Sequence, residues 1–455
     1  MKKGVISHIL SEFAHNLKLK EVPKEVVEKI KLHILDTLGI AIASCNLESV
    51  APVVRICKML SGPQESTVIG QNLRVAAPYA AMANSTMAHS LDYDDTHLGS
   101  VHQGCVAIPT SFALGEKVCA SGREVLESII ITYEVNARLG LVSPRGLHPR
   151  GFHPTPILGV FGAALATSKL MRLSTEQSCW ALGIAGSMSS GIGQPVKEGV
   201  PLKAFHAGIA AYHGILAALL AAEGYKGPSR VFEGEAGFYR AYLWSEKINL
   251  DQAISELGKK WETLNTSLKP YPSCHATHAA IDATAALKSK YQIKTEDIQE
   301  CRVYLSKYAL ELTRSEPITA YGAKFSIRYC VAVGLKGGYV RINDFTEEAL
   351  KDKEVLGLMQ KIRVFHDEKY DADEYAEKMV FPARVIIKTK DGLTYEEEVI
   401  YHKGTPYNPM SKDEVVAKFL DNIKFTKFKS IGRELINKVF NMENRNFMEI
   451  SKMLS

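Results

Sequence analysis

The segment from residue 89 to residue 102 concentrates groups that can transfer protons. Among them are three carboxylic acids, three imidazoles and the hydroxyl of a threonine: His89, Asp92, Asp94, Asp95, Thr96, His97 and His102. Three acids within four positions repel one another unless solvent, cations or a metal ion neutralises them. The segment is therefore an acidic surface loop, a metal site, or a place where a carboxylate orients an imidazole for acid–base chemistry. A metal site is the least favoured, because hard-metal loops space their oxygen ligands regularly.

A second cluster runs from His148 to Pro156 and leads into a helix. Thr155 is typical of a helix N-cap, and Pro156 is typical of the first helical residue. His153 is then predicted to lie just outside a helix N-terminus, where free backbone N–H groups attract anions. That position suits contact with a substrate carboxylate, and a surface turn accounts for it equally well.

Two lysines lie in comparable surroundings. Lys203 and His206 are three residues apart at the start of a helix rich in small residues. A lysine in the first turn opposes the helix dipole, which indicates either a positive site that holds an anion or plain solvent exposure. Lys269 precedes two prolines that stiffen the chain. The same segment carries one thiol and two imidazoles: Cys274, His275 and His278.

Each of the four clusters starts or ends a predicted helix. Hydrophobic periodicity predicts helices over residues 26–43, 76–89, 123–139, 156–170, 175–187 and 203–222. Their many alanines and glycines suit close packing of helices against one another. We therefore predict an all-helical domain over residues 1–265.

The pattern changes after Lys269. It predicts helices over 277–291 and 324–335, and extended segments over 301–306, 361–365, 383–388 and 394–401. Asp391-Gly392 is typical of a type I′ hairpin turn, whose two central residues have positive φ. These elements predict an α+β domain over residues 266–405. Helical periodicity returns at Ser411, so residues 406–455 are predicted to pack back on the helical domain.

Composition excludes several classes of protein. Hydrophobic residues make up 46% and charged residues 23% of the 455-residue chain, as in folded globular proteins and unlike disordered ones. The net charge of +5 is too small to predict nucleic-acid binding and is compatible with a small anionic substrate. The eight cysteines form no Cys-x-x-Cys pair, so zinc-ribbon and iron–sulfur sites are not expected.

The sequence predicts neither a secretory signal nor a membrane span. Polar residues interrupt the N-terminus before the apolar core of a signal peptide forms. The stretch from Phe205 to Ala222 carries two histidines, which favours a buried helix over a lipid-spanning one. A disulfide framework is not expected in a chain this long without a secretory segment. We therefore expect a cytoplasmic protein with reduced cysteines and no membrane partner.

The order of these motifs resembles that of the MmgE/PrpD family. The motifs are Leu-Asp-Tyr-Asp-Asp-Thr-His at 91–97, Gly-Phe-His-Pro-Thr-Pro at 151–156, Lys-Ala-Phe-His-Ala-Gly at 203–208 and Lys-Pro-Tyr-Pro-Ser-Cys at 269–274. With Ala-Lys-Phe-Ser at 323–326 and the hairpin, the resemblance covers nearly the whole chain. It implies a cofactor-free homodimer with a mainly α fold: a large helical domain built from both chain ends and a smaller α+β lid domain.

The resemblance also implies roles for individual residues. Catalytic roles are implied for Asp92, His102, His153, Lys203 and Lys269. Substrate-binding roles are implied for Thr96, His97, His206, Cys274, His275 and His278, and no metal ligand is implied. Two positions depart from the family pattern: His-Gln-Gly at 102–104 stands where His-Pro-Gly is common, and Asp-Asp-Thr at 94–96 stands where methylcitrate dehydratases carry Asn-Asp-Thr. The second departure favours the decarboxylase, epimerase and uncharacterised branches.

The expected function is that of a cofactor-independent lyase acting on a small di- or tricarboxylate. The family comprises 2-methylcitrate dehydratases, cis-aconitate decarboxylases and iminodisuccinate epimerases. Each reaction moves a proton at a carbon near a carboxylate, and so needs an imidazole or lysine at that carbon and a positive clamp. An epimerase and a non-catalytic carboxylate-binding protein remain as alternatives.

Overall fold

The computed structural model describes residues 5–97, 99, 101–244, 248–314, 316–378 and 380–455. Its helices are α1 (Ile6–Asn16), α2 (Lys24–Ser44), α3 (Ala51–Leu60), α4 (Ala77–His89), α5 (Gly104–Lys117), α6 (Gly122–Leu141), α7 (Pro154–Leu170), α8 (Thr175–Met188), α9 (Gln194–Glu198), α10 (Leu202–Ala222), α11 (Phe238–Leu243), α12 (His278–Tyr291), α13 (Lys307–Thr313), α14 (Ala320–Ala323), α15 (Ile327–Gly337), α16 (Lys353–Lys361), α17 (Asp373–Glu377), α18 (Lys412–Ile423), α19 (Gly432–Phe440) and α20 (Met448–Ser451). Its strands are β1 (Ser66–Val68), β2 (Leu73–Val75), β3 (Thr96–His97), β4 (Thr266–Ser267), β5 (Ile298–Leu305), β6 (Ile362–His366), β7 (Ala383–Thr389) and β8 (Thr394–Val399). Helices dominate and the sheets are small, so the predicted mainly α fold with a smaller α+β part is confirmed.

Helix α10 lies at the centre of the helical part and packs against α4, α5, α7 and α8. Its glycines allow the closest approaches. A Cβ on Gly208 would lie 2.6 Å from the carbonyl oxygen of Met82, and a Cβ on Gly214 would lie 2.8 Å from that of Val160. By length and composition α10 is apolar enough to cross a membrane, but most of its residues are buried against neighbouring helices, as in the core of a folded protein.

Both ends of the chain contribute to one hydrophobic core. This core contains buried residues from Ile6 to Leu268 and resumes at Val415. Phe419 of α18 packs so closely on α2 that a Cβ on Gly39 would lie 2.9 Å from its ring. A second core contains residues between 271 and 387. The C-terminal helices therefore complete the helical part, and the α+β part has a core of its own.

A four-stranded sheet organises the α+β part in the order β6-β5-β7-β8. Strand β5 pairs parallel with β6 and antiparallel with β7, which pairs antiparallel with β8. Ala383, Val385 and Ile387 are buried and alternate with more exposed residues along β7. Helix α12 packs against β7 and β8. The segment predicted to be extended over 383–388 is thus a strand that buries one face.

The hairpin between β7 and β8 is present, but the predicted type I′ turn is wrong. Gly392 has a φ of +89°, whereas Asp391 is not among the described residues with positive φ. The carboxylate of Asp391 instead accepts hydrogen bonds from the Thr389 hydroxyl (2.6 Å) and the Leu393 amide (3.3 Å). This local bonding stabilises a longer loop than the two-residue turn.

Helices α7 and α15 show why some helices begin at other residues than predicted. Helix α7 starts at Pro154, with His153 as its N-cap, and the hydroxyl of Thr155 accepts a hydrogen bond from the His102 amide (3.1 Å) instead of capping the helix. Two prolines two residues apart both satisfy the rule for a first helical residue, and the earlier one is used. Helix α15 starts at Ile327 because the Ser326 hydroxyl caps it.

Gly404 provides a stability prediction. It has a φ of +94°, and a Cβ there would lie 1.9 Å from the carbonyl oxygen of Leu268. Gly338, with a φ of +71°, has no atom within 4 Å of such a Cβ. Substituting alanine is expected to cost about 1–2 kcal/mol at Gly338 from the backbone conformation alone. The loss for Gly404→Ala is expected to be at least twice as large in urea denaturation, and equal losses would argue against the close contact.

Candidate functional site

A cavity of about 620 Å³ lies where the helical and α+β parts meet. Its wall contains most of the site residues predicted from the sequence: Asp92, Thr96, His102, His153, Lys203, Lys269, Cys274 and His275. These residues come from four motifs that are far apart in the chain. The fold therefore brings all four motifs to one place.

A small sheet joins the first motif to the fourth. Strand β3 pairs antiparallel with β4, so that Thr96 is opposite Ser267 and Lys269 follows two residues later. The chain then continues along the wall to Cys274, whose amide donates a hydrogen bond to the carbonyl of Lys324 (2.9 Å). His275, the next residue, is also part of the wall.

Asp92 binds two lysines in the wall. It follows α4 with a φ of +50°, a left-handed conformation that aspartate tolerates better than most residues. Its carboxylate pairs with the ammonium of Lys203, in the first turn of α10, and with that of Lys269 at 2.9 Å. Lys269 also donates to the carbonyl oxygen of Asp92 (2.9 Å). One carboxylate thus faces two cations.

The two lysines control the charge of this group. Burial raises the pKa of the Asp92 carboxyl, but Lys203 and Lys269 outweigh burial and hold that pKa well below its ordinary value. Burial lowers the pKa of Lys203, yet the attraction of Asp92 and of Asp94 leaves it above its ordinary value. Within the wall two ammonium groups thus share the Asp92 carboxylate, and the Asp94 carboxylate, which is not among the wall residues, adds a second negative charge nearby.

His102 turns one ring nitrogen toward the cavity. Its Nδ1–H donates to the carbonyl oxygen of Asp95 (2.8 Å), which fixes the tautomer and leaves the lone pair on Nε2. Its side chain is 13% exposed, on the cavity side. Burial and the nearby Lys203 ammonium lower the pKa of His102 well below its ordinary value. The ring is therefore a neutral base in the free protein.

His153 provides a second imidazole at the N-terminus of α7. Its Nδ1 lies 3.0 Å from Nδ1 of His206 on α10, so one ring donates to the other. Its Nε2 is buried and has no hydrogen-bond partner among the described residues. Burial and the Lys203 ammonium lower the pKa of His153 well below its ordinary value, and burial lowers that of His206 to about 4.

The three acids of the first motif are all buried, so the acidic surface loop is the wrong interpretation. Asp92 binds the two lysines. Asp94 accepts a hydrogen bond from Nδ1 of His89 (2.8 Å). Asp95 accepts from the amides of Gln103 (3.1 Å) and Gly104 (2.8 Å), which begin α5. Cations, an imidazole and a helix N-terminus therefore compensate the three charges.

Lys418 supports this wall from the C-terminal helix α18, and sequence reasoning missed it. Its ammonium donates to the carbonyl oxygens of Tyr93 (3.0 Å) and Lys269 (2.8 Å) and pairs with Asp36 at 2.6 Å. One feature of the sequence could have indicated it: Lys418 lies one turn after Val415, on the apolar face of the predicted helix, where a lysine is unusual.

Lys324 is a second buried lysine beneath the wall. Its ammonium donates to the carbonyl oxygen of Pro272 (2.9 Å) and lies 4.3 Å from the ring centroid of Phe345. No carboxylate of the described residues lies within 4.0 Å of it. Burial lowers the pKa of Lys324 to about 7. The folded protein therefore disfavours the charged form of this lysine.

Lys324 is expected to make stability depend on pH. Between pH 7 and its ordinary pKa of 10.5 the unfolded chain binds more protons at this lysine, so the free energy of unfolding rises with pH across that window. Relative to Lys324→Met, the wild type is expected to gain up to about 1.4 kcal/mol per pH unit between pH 7 and 9. Urea denaturation at both pH values measures the difference, and a constant offset between the two proteins would rule the shift out.

Three predicted substrate-binding residues lie behind the wall instead. His97 is buried with its Nε2 3.4 Å from Glu262, and His278 donates through Nε2 to the carbonyl oxygen of Ser273 (3.2 Å). His206 contacts His153, as described above. Successive residues of a strand point to opposite faces, so in β3 Thr96 faces the cavity and His97 does not.

Several other wall residues had no role in the sequence analysis. They include apolar, aromatic and charged side chains from both parts of the chain: Phe152, Ile192, Lys197, Tyr308, Glu311, Arg314, Phe325 and Phe381. The hydroxyl of Tyr308 lies 3.1 Å from Nδ1 of His148 and thus links the two parts across the cavity. Lys197 and Arg314 add positive charge to the wall, and Glu311 adds negative charge.

This arrangement is suited to holding a carboxylate and moving a proton beside it. Surplus positive charge and imidazole nitrogens with free lone pairs occupy the same buried wall. Nitrogen ligands for a metal ion are also grouped here, because one ring nitrogen from each of His89, His102 and His153 lies within 4.8 Å of the others.

Comparison with known proteins gives matches over most of the chain. The MmgE/PrpD N-terminal domain model matches residues 8–251, and the MmgE/PrpD C-terminal domain model matches residues 271–438. The chain is 28% identical to the cis-aconitate decarboxylase of Homo sapiens, over 97% of this chain and 93% of the relative. It is 26% identical to the cis-aconitate decarboxylase of Aspergillus terreus, over 92% and 89%. It is 24% identical to the 2-methylcitrate dehydratase of Escherichia coli (strain K12), over 86% and 84%.

Proposed function

Because the chain belongs to the MmgE/PrpD family, we propose that it is a lyase that acts on a small di- or tricarboxylate without a cofactor. One observation carries this proposal: Lys203 and Lys269 outnumber Asp92 in a buried wall that also holds His102 and His153. A surplus ammonium in such a wall favours an anionic ligand, and charge-assisted hydrogen bonds to carboxylates are strong. The cavity volume of about 620 Å³ is that of a small-molecule site.

In this proposal the two lysines hold the carboxylate next to the reacting carbon. Negative charge that develops there in the transition state meets ammonium groups that Asp92 has already positioned. Lys197 and Arg314, also in the wall, bind a second carboxylate of the substrate. Positioning of both ends brings the reacting carbon to the two imidazoles.

The imidazoles carry the proton. In decarboxylation the bond to the departing carboxylate breaks, its electron pair is delocalised over the remaining unsaturated acid, and an imidazolium delivers one proton to carbon as CO₂ leaves. In dehydration an imidazole takes a proton from carbon, and the hydroxyl leaves with another proton as water. Bound carboxylates raise the pKa of the nearby imidazoles and so supply the proton that decarboxylation needs.

Decarboxylation of cis-aconitate is the first candidate reaction. The Asp-Asp-Thr form of the first motif favours that branch over 2-methylcitrate dehydration. The identities of 28% and 26% to cis-aconitate decarboxylases, against 24% to a 2-methylcitrate dehydratase, point the same way.

Proton NMR in D₂O tests the proposal on chelator-treated protein. Separate samples contain cis-aconitate, 2-methylcitrate, citrate and iminodisuccinate. We expect the methylene signals of a decarboxylated unsaturated dicarboxylate to appear with cis-aconitate. An alkene product from 2-methylcitrate would instead establish the dehydratase.

Two other results would replace the lyase proposal. Deuterium incorporation with loss of configuration but without a new product would establish an epimerase. Binding of carboxylates without any turnover would establish a binding protein. The homodimer and the cytoplasmic location are also proposals, and sedimentation equilibrium tests the first of them.

A further inference from the structure

We propose that His89, His102 and His153 form a binding site for Zn²⁺, and that zinc bound there blocks turnover. One ring nitrogen from each histidine lies within 4.8 Å of the others. Imidazole nitrogen is a preferred zinc ligand, and three histidines leave one tetrahedral position open. The inhibitory part rests on the proposed function, in which His102 and His153 transfer the proton; the binding part does not.

The three rings are oriented as metal-binding histidines usually are. Each uses Nδ1 for a hydrogen bond: His89 with the Asp94 carboxylate (2.8 Å), His102 with the Asp95 carbonyl (2.8 Å) and His153 with His206 (3.0 Å). Histidine ligands typically donate one ring N–H to such a partner and bind the metal through the other nitrogen. Nε2 of His89 and Nε2 of His153 are buried and lack a hydrogen-bond partner among the described residues. Nε2 of His89 therefore carries an unused lone pair, and Nε2 of His153 carries one in the tautomer whose Nδ1–H donates to His206.

The charges near the three rings act on a cation in opposite directions. The Asp94 carboxylate lies behind His89 and 3.6 Å from Nδ1 of His102. Lys203 opposes a metal ion, but its ammonium is paired with Asp92. Zinc–nitrogen bonds of about 2.0–2.1 Å require the three rings to move closer together on binding.

Another group of three buried histidines serves as a comparison. His275, His278 and His402 also bring ring nitrogens within 4.8 Å of one another. Their rings pack edge to face at 71–86°, and the rings of the first group meet at 8°, 56° and 58°. Access from the cavity distinguishes the two groups, because His102 and His153 are both part of its wall, whereas the second group has His275 there. The first group is therefore the more accessible to an ion.

Zinc binding is measured directly by calorimetric titration of chelator-stripped protein with ZnCl₂, with Co²⁺ absorption as a report on tetrahedral coordination. We expect one site per chain. His89→Asn keeps an N–H group for the hydrogen bond to Asp94 but removes Nε2, so it is expected to weaken zinc binding by more than ~100-fold. Asp94→Asn removes the carboxylate that orients His89 and is expected to weaken zinc binding by ~10–100-fold. His402→Asn is the matched control and is expected to bind zinc as the wild type does. His153→Gln replaces His89→Asn if that variant does not fold.

The outcomes separate the two parts of the inference. A zinc site lost in His402→Asn and kept in His89→Asn would overturn it, and so would the absence of any site. With an active substrate, one equivalent of Zn²⁺ is expected to abolish turnover and a chelator to restore it. Zinc bound at this site with turnover unchanged would overturn the inhibitory part. Zinc binding at this site in a protein that turns over no carboxylate would support the site while the proposed function fails.

Discussion

Replacing His102 with asparagine is expected to lower kcat by about 10²–10⁴-fold and to leave KM and the free energy of unfolding nearly unchanged. The asparagine amide lies where Nδ1 lies, so it keeps the hydrogen bond to the carbonyl of Asp95 (2.8 Å in the wild type). Only Nε2 is lost, which is the nitrogen that faces the cavity. Steady-state kinetics on the substrate identified by NMR, together with urea denaturation, measure both quantities.

His213 provides the matched control for this variant. Its Nδ1 also donates to a backbone carbonyl, that of Met188 (2.9 Å), but the residue is not part of the cavity wall. His213→Asn is therefore expected to change kcat by less than about twofold, since the cost of losing a distant ring is confined to stability. If kcat falls by a similar factor in the two variants, or if His102→Asn leaves kcat unchanged, His102 does not take part in the proton-transfer step.

The helices were predictable because local signals agree with burial. Helix α8 was predicted over 175–187 and is found at Thr175–Met188, where Ser174 and Gln177 form a capping box. The sequence was ambiguous where two start signals compete, as at Pro154 and Pro156. Strand β3 was not predicted, because two residues are too few to show a period of two. The directions of Thr96 and His97 were therefore unpredictable from the residues.

That the site residues lie together in the fold was predictable only from the order of their motifs in the chain. Asp92 and Lys269 are 177 positions apart, and no local pattern indicates that they meet. Lys418 is 325 positions from Tyr93, whose carbonyl it binds. Such contacts depend on how helices pack, and a buried lysine stands out only once its helix face is known. Residue types thus indicated carboxylate chemistry, while the partners that position them required the fold.

The largest loss of stability is expected for Asp92→Asn. Asparagine tolerates the left-handed backbone at this position, where φ is +50°, so the change removes charge without adding strain. It leaves the ammonium groups of Lys203 and Lys269 side by side in a buried wall without their carboxylate. Removing one partner from a buried ion pair typically costs about 3–5 kcal/mol. Urea denaturation is expected to show a loss of this size.

Lys203→Met is expected to behave differently, because it leaves Asp92 and Lys269 as a balanced pair at 2.9 Å. Its loss of stability is expected to be smaller than that of Asp92→Asn, while kcat/KM falls by about 10²–10³-fold because the surplus charge that binds substrate is gone. Adding Lys203→Met to Asp92→Asn is expected to recover part of the lost stability, since one of two repelling cations is removed. If Asp92 were only a structural carboxylate, the two single variants would lose stability alike and the double variant would be the least stable of the three. The sign of this coupling therefore decides whether the wall carries a surplus positive charge in the free protein.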